Sequence, residues 1–181
     1  MANPWHDIPL PDYASLARAF PAVIEVPMGE KNKYELDKAT GFLRLDRVLF
    51  SAMRYPANYG FIPRTLAEDE DPVDVLVLGQ EPVAPLTFLY ARAIGGFRMR
   101  DEHGPDEKII CVHVNDPAVR DYRDVSALPQ HVVLEMMRFF EDYKALEHKA
   151  VEVGEQISTV EAVDIVRACA ARYREKFGGG E

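Results

Sequence analysis

Apolar residues recur with a period near two through the first two thirds of the chain and near three and a half in the last third. The stretches A-V-I-E-V-P and K-Y-E-L-D read as strands joined by a loop containing Gly29, and F-L-R-L-D-R-V-L after Gly41 reads as a third. V-D-V-L-V-L, L-T-F-L-Y-A-R-A-I, F-R-M and K-I-I-C-V-H-V extend the series, whereas residues 12–19 predict a short helix. Between Tyr55 and Pro63 the string Y-P-A-N-Y-G-F-I-P is rich in Pro and Gly and predicts an ordered, aromatic loop. Residues 130–148 then place Val132, Met136, Phe139, Phe140 and Tyr143 at helical offsets, with Pro129 near the first turn. A second helix starts at S-T-V-E, where Ser158 and Glu161 match a capping box. It carries Val160, Val163, Val166, Ala170, Tyr173 and Phe177, and stops at Gly178. Short, unevenly spaced strands followed by two helices predict an α+β fold, a small closed barrel with helices packed on it.

Composition narrows the picture. The 181 residues contain neither an internal repeat nor a low-complexity linker, so the expectation is one domain over 1–181. Its core spans about 20–177, flanked by a short N-terminal segment and a Gly-rich C-terminal tail. A net charge of −9 argues against sequence-independent binding to nucleic acid or to an anionic membrane, since both require a positive field. Cys111 and Cys169 are too few for a disulfide framework. The N-terminus shows no basic, apolar leader and no window reaches the ~20 apolar residues of a membrane span, so the expected address is cytoplasmic.

The chemistry concentrates where the acids do. The run E-D-E-D-P-V-D, residues 68–74, enters an apolar strand, so Asp74 begins an element while Asp69 and Asp71 lie upstream beside Pro72. An acidic run alone is usually a solvated loop. A calcium EF-hand fails, because Val73, Asp74 and Gln80 stand where the loop needs an oxygen ligand, Gly and Glu. An aspartate phosphotransferase fails too, since there the apolar strand precedes the acids. A second pair, Asp101 and Asp106, flanks Gly104 and Pro105; a hairpin here brings both to one rim, with Lys108 on the face of Asp106. Lys33 and Glu35 share one face of their strand, and Glu25 can face them from a neighbour. Arg47 shares a face with Leu43, Leu45 and Leu49, and an arginine on an apolar face calls for an anionic partner. The five histidines form no metal-binding spacing. An all-carboxylate set favours hard cations such as Mg²⁺ or Mn²⁺.

Together the motifs resemble one family, the soluble family I inorganic pyrophosphatases in their shorter, prokaryotic-type form. The matching stretches are I-E-V-P, K-Y-E-L-D, L-D-R, Y-P-A-N-Y-G-F-I-P, D-E-D-P-V-D-V-L-V, M-x-D-E-x-G-x-D-x-K and F-F-E-D-Y-K-x-L-E, in order from about 23 to 147. The resemblance implies an OB-type five-stranded barrel with two C-terminal helices, and hydrolysis of pyrophosphate to two phosphates with several Mg²⁺ ions per site. It implies metal ligation by Asp69, Asp74, Asp101 and Asp106, with Asp71 as the base on the attacking water. Lys33, Arg47, Tyr59, Tyr143 and Lys144 would grip the phosphates, with Glu25, Glu35, Tyr55 and Lys108 in support. Members of this length are similar in forming hexamers.

The chemistry has a physical rationale. Pyrophosphate carries about three to four negative charges, and an anionic nucleophile attacking in line needs that charge cancelled. Two metals sharing Asp74 would lower the pKa of a water between them from 15.7 toward ~7, giving a metal-bound hydroxide. One departure stands out: Glu70 occupies a position where the family usually has a small residue. If the backbone there is left-handed, Glu costs about 1 kcal/mol. Two other readings compete. An OB-fold oligonucleotide-binding module would need a basic groove with stacking aromatics, and a silent relative would have lost a ligand.

Overall fold

The computed structural model describes residues 3–102 and 104–178. His103 and the end of the Gly-rich tail, 179–181, lie outside the described residues. The elements in chain order are α1 (Pro4–Asp7), β1 (Phe20–Val26), β2 (Asn32–Leu36), β3 (Leu43–Val48), β4 (Asn58–Phe61), β5 (Asp74–Leu78), β6 (Phe88–Asp101), β7 (Gly104–Pro105), β8 (Lys108–His113), α2 (Gln130–Asp142), β9 (Glu152–Ile157) and α3 (Thr159–Phe177). Five strands form a ring: β1 pairs β4, β4 pairs β5, β5 pairs β8, β8 pairs β6, and β6 returns to β1. Of these five pairings, β5 with β8 is parallel and the other four are antiparallel. β2 and β3 form a separate two-stranded sheet. The α+β expectation holds, with a ring of five strands and two helices near the C-terminus.

Period-two alternation explains why both faces of the ring are covered. Ile24, Val75, Val77, Ile109 and Cys111 pack with Val163 and Val166 of α3, while Leu76, Ile110 and Val112 pack with Met136, Phe139 and Phe140 of α2. Each large side chain buried this way contributes about 1.5–3 kcal/mol. The capping box of α3 is present, Ser158 and Glu161 satisfying each other's backbone N–H groups.

Several expectations require correction. The stretch Tyr55–Pro63 is not a loop throughout, because Asn58–Phe61 is a ring strand buried at every position. Gly60 makes it possible: a Cβ there would lie 1.8 Å from the Val23 carbonyl oxygen of β1. L-T-F-L-Y-A-R-A-I and F-R-M are not two strands but parts of the single 14-residue β6, bulged where the register shifts between Ala93 and Gly95. Gly95, at φ +144°, takes a conformation side chains disfavour. The helix over 12–19 shrinks to a 3-10 turn at Ser15–Ala17, too short a segment to nucleate before β1 begins. The helix over 130–148 ends at Asp142, followed by a 3-10 turn and a left-handed His148. On α3, Val160 faces solvent rather than the core. β9 and α1 were not anticipated.

Candidate active site

One cleft of about 650 Å³ opens between the two-stranded sheet, the acid loop before β5, the β6–β7 turn and the segment after α2. It is lined by Glu25, Lys33, Glu35, Arg47, Tyr59, Asp69, Asp71, Asp74, Asp101, Asp106, Lys108, Tyr143 and Lys144. Of the sequence-derived candidates, Tyr55 alone lies behind the wall, buried against the Tyr59 ring at 5.2 Å between centroids.

Strand register builds the deepest wall. Asp74 of β5 and Lys108 of β8 are direct partners in the parallel pair, so their side chains emerge together. Tyr59, one strand over on β4, donates its hydroxyl to Asp74 Oδ2 at 2.6 Å. The Lys108 ammonium pairs with the same oxygen and lies 2.7 Å from both oxygens of Asp106. Lys108 is only 2 % exposed. Burial pulls its pKa down, but Asp106 and Asp74 outweigh burial and hold it above the usual lysine range. Burial raises the Asp106 carboxyl to about 6, Lys108 opposing and Asp74 adding to the rise. Asp69 is likewise pushed up, by burial first and by Asp74 second.

Bulges aim the remaining charges. A register shift between Ile24 and Val26 sets Glu25 into the interior, where its Oε1 accepts the Leu36 N–H at 2.6 Å. Burial pushes Glu25 up to about 8, the Leu36 N–H opposing. A second shift, between Lys33 and Tyr34 on β2 opposite β3, breaks the expected alignment of Arg47 with Leu43, Leu45 and Leu49. Leu49 is buried and Leu45 exposed, while Arg47 turns to the cleft. Its Nε donates to Glu147 at 2.8 Å and its Nη1 to Asp46 at 2.5 Å, but Nη2 is buried without a hydrogen-bond partner among the described residues. The Tyr55 hydroxyl is likewise buried and finds no hydrogen-bond partner among the described residues. Burial holds the pKa of Tyr55 and of Tyr59 well above the usual phenol range, so both are neutral donors. Lys33 meets Glu35 and lies 3.8 Å from Asp46, and Lys144 lies 2.8 Å from Asp101.

The acid loop is more exposed. Its main chain is pinned by Asp71 N–H donating to Asp69 Oδ1 at 3.0 Å and by Ala67 N–H donating to the Asp71 carbonyl at 2.7 Å. Glu70 between them is left-handed, at φ +68°, so the strain expected for a side chain at that position is present. The Asp71 carboxylate pairs with Lys38.

The donor chemistry fits hard divalent cations. Among the described residues, the polar groups lining the cleft are carboxylates, phenols, amines and guanidinium groups, without His or Cys. Among the described residues no three carboxylate, His or Cys side chains form a ready-made ligand cluster; the aspartates ring the cleft, several against lysines. Burial first, and the neighbouring Asp74 carboxylate after it, raise the Asp69 and Asp106 carboxyls, and added positive charge would oppose that rise.

Sequence reasoning missed Lys38, Asp46, Glu102, Glu147 and Lys149. Lys38, Asp46, Glu102 and Lys149 line the cleft, and Glu147 grips Arg47. Asp46 and Glu102 stood beside named candidates in L-D-R and D-E-H, whereas nothing local marks Lys38.

Comparison with known proteins bears on this arrangement. Residues 22–174 match the family model described as inorganic pyrophosphatase. The chain is 47% identical over 180 residues to soluble inorganic pyrophosphatase 2 of Chlamydomonas reinhardtii, covering 97% of this chain and 91% of that protein. It is 51% identical over 174 residues to soluble inorganic pyrophosphatase 4 of Arabidopsis thaliana, covering 96% and 80%. The crystal structure of inorganic pyrophosphatase from Thermus thermophilus superposes with a TM-score of 0.90 at 43% identity, covering 96% of this chain and 99% of that one.

Proposed function

The chain belongs to the inorganic pyrophosphatase family and is an enzyme that hydrolyses inorganic pyrophosphate; from that premise we propose that its acidic cleft works with Mg²⁺ and by in-line attack. The observation that supports this reading best is the arrangement of charge, with carboxylates and cationic groups facing one another around a single cleft.

In this reading Asp69, Asp74, Asp101 and Asp106 hold the metal ions. Mg²⁺ held there would supply positive charge against the phosphates and would lower the pKa of the attacking water from 15.7 toward ~7. Asp71 holds that water and takes its proton, a task a carboxylate performs only on acidified water. Lys33, Arg47 and Lys144 hold the phosphate oxygens, Arg47 through the Nη2 that has no hydrogen-bond partner among the described residues. Tyr59 and Tyr143 add their hydroxyl groups, Tyr59 by turning its proton from Asp74 to the phosphate, and together these groups keep the leaving phosphate opposite the entering oxygen. Lys108 keeps Asp74 and Asp106 in register, while Glu25, Glu35 and Tyr55 back the wall. Mn²⁺ satisfies the same oxygen set. A cytoplasmic hexamer is part of the proposal, and sedimentation velocity tests its assembly.

Phosphate release from pyrophosphate tests the mechanism. Turnover that requires Mg²⁺ or Mn²⁺ and vanishes with chelator supports it. Turnover unaffected by thorough chelation, or an Asp71→Asn variant as active as the parent, contradicts it.

A further inference from the structure

The residues ahead of β1 lie outside the 22–174 stretch matched by the family model, yet they reach the cleft. Asn3 caps α1, its Oδ1 accepting the Trp5 N–H at 3.0 Å, and its Nδ2 donates to the Lys38 carbonyl at 2.8 Å. Trp5 is 4% exposed; its Nε1 donates to the Thr65 carbonyl at 2.9 Å and its own carbonyl accepts the Arg64 N–H at 2.8 Å. The Thr65 hydroxyl in turn accepts the Val73 N–H at 2.9 Å, so the indole and the exit of the acid loop share one anchor. Packing edge-on against Phe177 at 5.4 Å, Trp5 also forms part of the cleft wall.

Lys38 sits on that indole. Its Nζ lies 5.3 Å from the ring centroid, within the ~6 Å reach of a cation–π contact, and from this seat it meets the Asp71 carboxylate and lies 3.4 Å from the Glu70 carbonyl. We propose that Lys38, seated on Trp5, is a positioning residue for the Asp71 carboxylate, making the N-terminal segment part of the catalytic apparatus. The inference rests on Asp71 being the base.

Stability does not account for the arrangement. The Lys38 and Asp71 side chains are 43% and 56% exposed, and an ion pair that open to water contributes little to folding. Geometry does account for it. Hydrogen bonds fix the Asp71 main chain, but its side-chain torsions are free to turn unless a partner holds the carboxylate. A neutral aromatic seat suits the purpose, because a carboxylate under Lys38 would compete with Asp71 for the ammonium and add negative charge to an acidic cleft. Trp5 attracts the cation without either cost.

Steady-state kinetics with Mg²⁺ and pyrophosphate test this on Lys38→Met, Lys38→Arg, Trp5→Leu, the Trp5→Leu/Lys38→Met double variant and Asp71→Asn. Lys38→Met lowers kcat about tenfold with KM within about twofold, since misplacement acts on the transition state rather than on binding. Its thermal midpoint stays within about 2 °C of the parent, and Lys38→Arg restores most of kcat. Trp5→Leu lowers kcat in the parent but adds nothing on top of Lys38→Met, because it acts through that lysine. If Trp5→Leu does not fold, the Lys38 series decides alone. Unchanged kcat in Lys38→Met beside a strongly impaired Asp71→Asn overturns this inference alone. So does a rise in KM at constant kcat, which makes Lys38 a substrate ligand, or a loss of kcat matched by a lower thermal midpoint. An active Asp71→Asn removes the base assignment and this inference with it.

Discussion

The two walls of the cleft hold their carboxylates by opposite means. On the strand wall, Asp74 and Asp106 are clamped by a lysine that is 2% exposed, and register along β5 and β8 sets the geometry. On the loop wall, Asp71 stands on a left-handed turn with its side chain more than half exposed, held by a lysine that rests on an indole. Charge burial governs the first and positioning the second. A broken pair therefore costs folding on the strand wall and turnover on the loop wall.

The sharpest way to break this contrast is Lys108→Met. Two largely buried carboxylates would lose their cation, and the loss is about 3–4 kcal/mol of unfolding free energy, read by urea denaturation with chelator present. A cost below about 1 kcal/mol would show that the strand wall is no more tightly held than the surface. Asp71→Asn should do the reverse, lowering kcat about 100-fold, equal to ~3 kcal/mol of barrier, at an unchanged urea midpoint.

Glu25 sharpens the account of the buried side. Its folded-state pKa of about 8 lies above the unfolded value near 4.5, so the folded chain binds the extra proton and stability falls as pH rises through that window. Thermal unfolding with chelator should show a loss of about 2 kcal/mol between pH 5 and pH 7 from this group, a slope that Glu25→Gln removes. An identical slope in Glu25→Gln assigns the pH dependence elsewhere. The smallest effect belongs to Glu70→Gly. It releases the strained φ but gives up the 2.6 Å contact with Lys176 and adds freedom to the unfolded chain, so its stability change stays below about 1 kcal/mol. Calorimetric melting checks this.

How much of this was readable in the sequence follows the same division. β1, β5 and β8 announced themselves as short apolar runs rich in β-branched residues, and the α3 cap through Ser158 and Glu161. The acid candidates were visible as runs of like charge that need neutralising. What stayed hidden depended on contacts far apart in the chain. β4 is buried on both faces and carries Gly60 for a close approach that only the fold reveals. β9 is mostly exposed and shows no apolar alternation. Lys38 owes its place to Asn3 and Trp5, more than thirty residues away. The bulge that turned Arg47 toward the cleft likewise left no local mark.

On the reading proposed here, aspartates from separate elements converge to hold divalent ions. A crystal grown with Mn²⁺ and measured at its anomalous edge tests this most directly. Anomalous peaks are expected inside the cleft, within direct bonding distance of Asp69, Asp74, Asp101 and Asp106. Peaks confined to other surfaces, with these four carboxylates contacting only lysines and water, would contradict it.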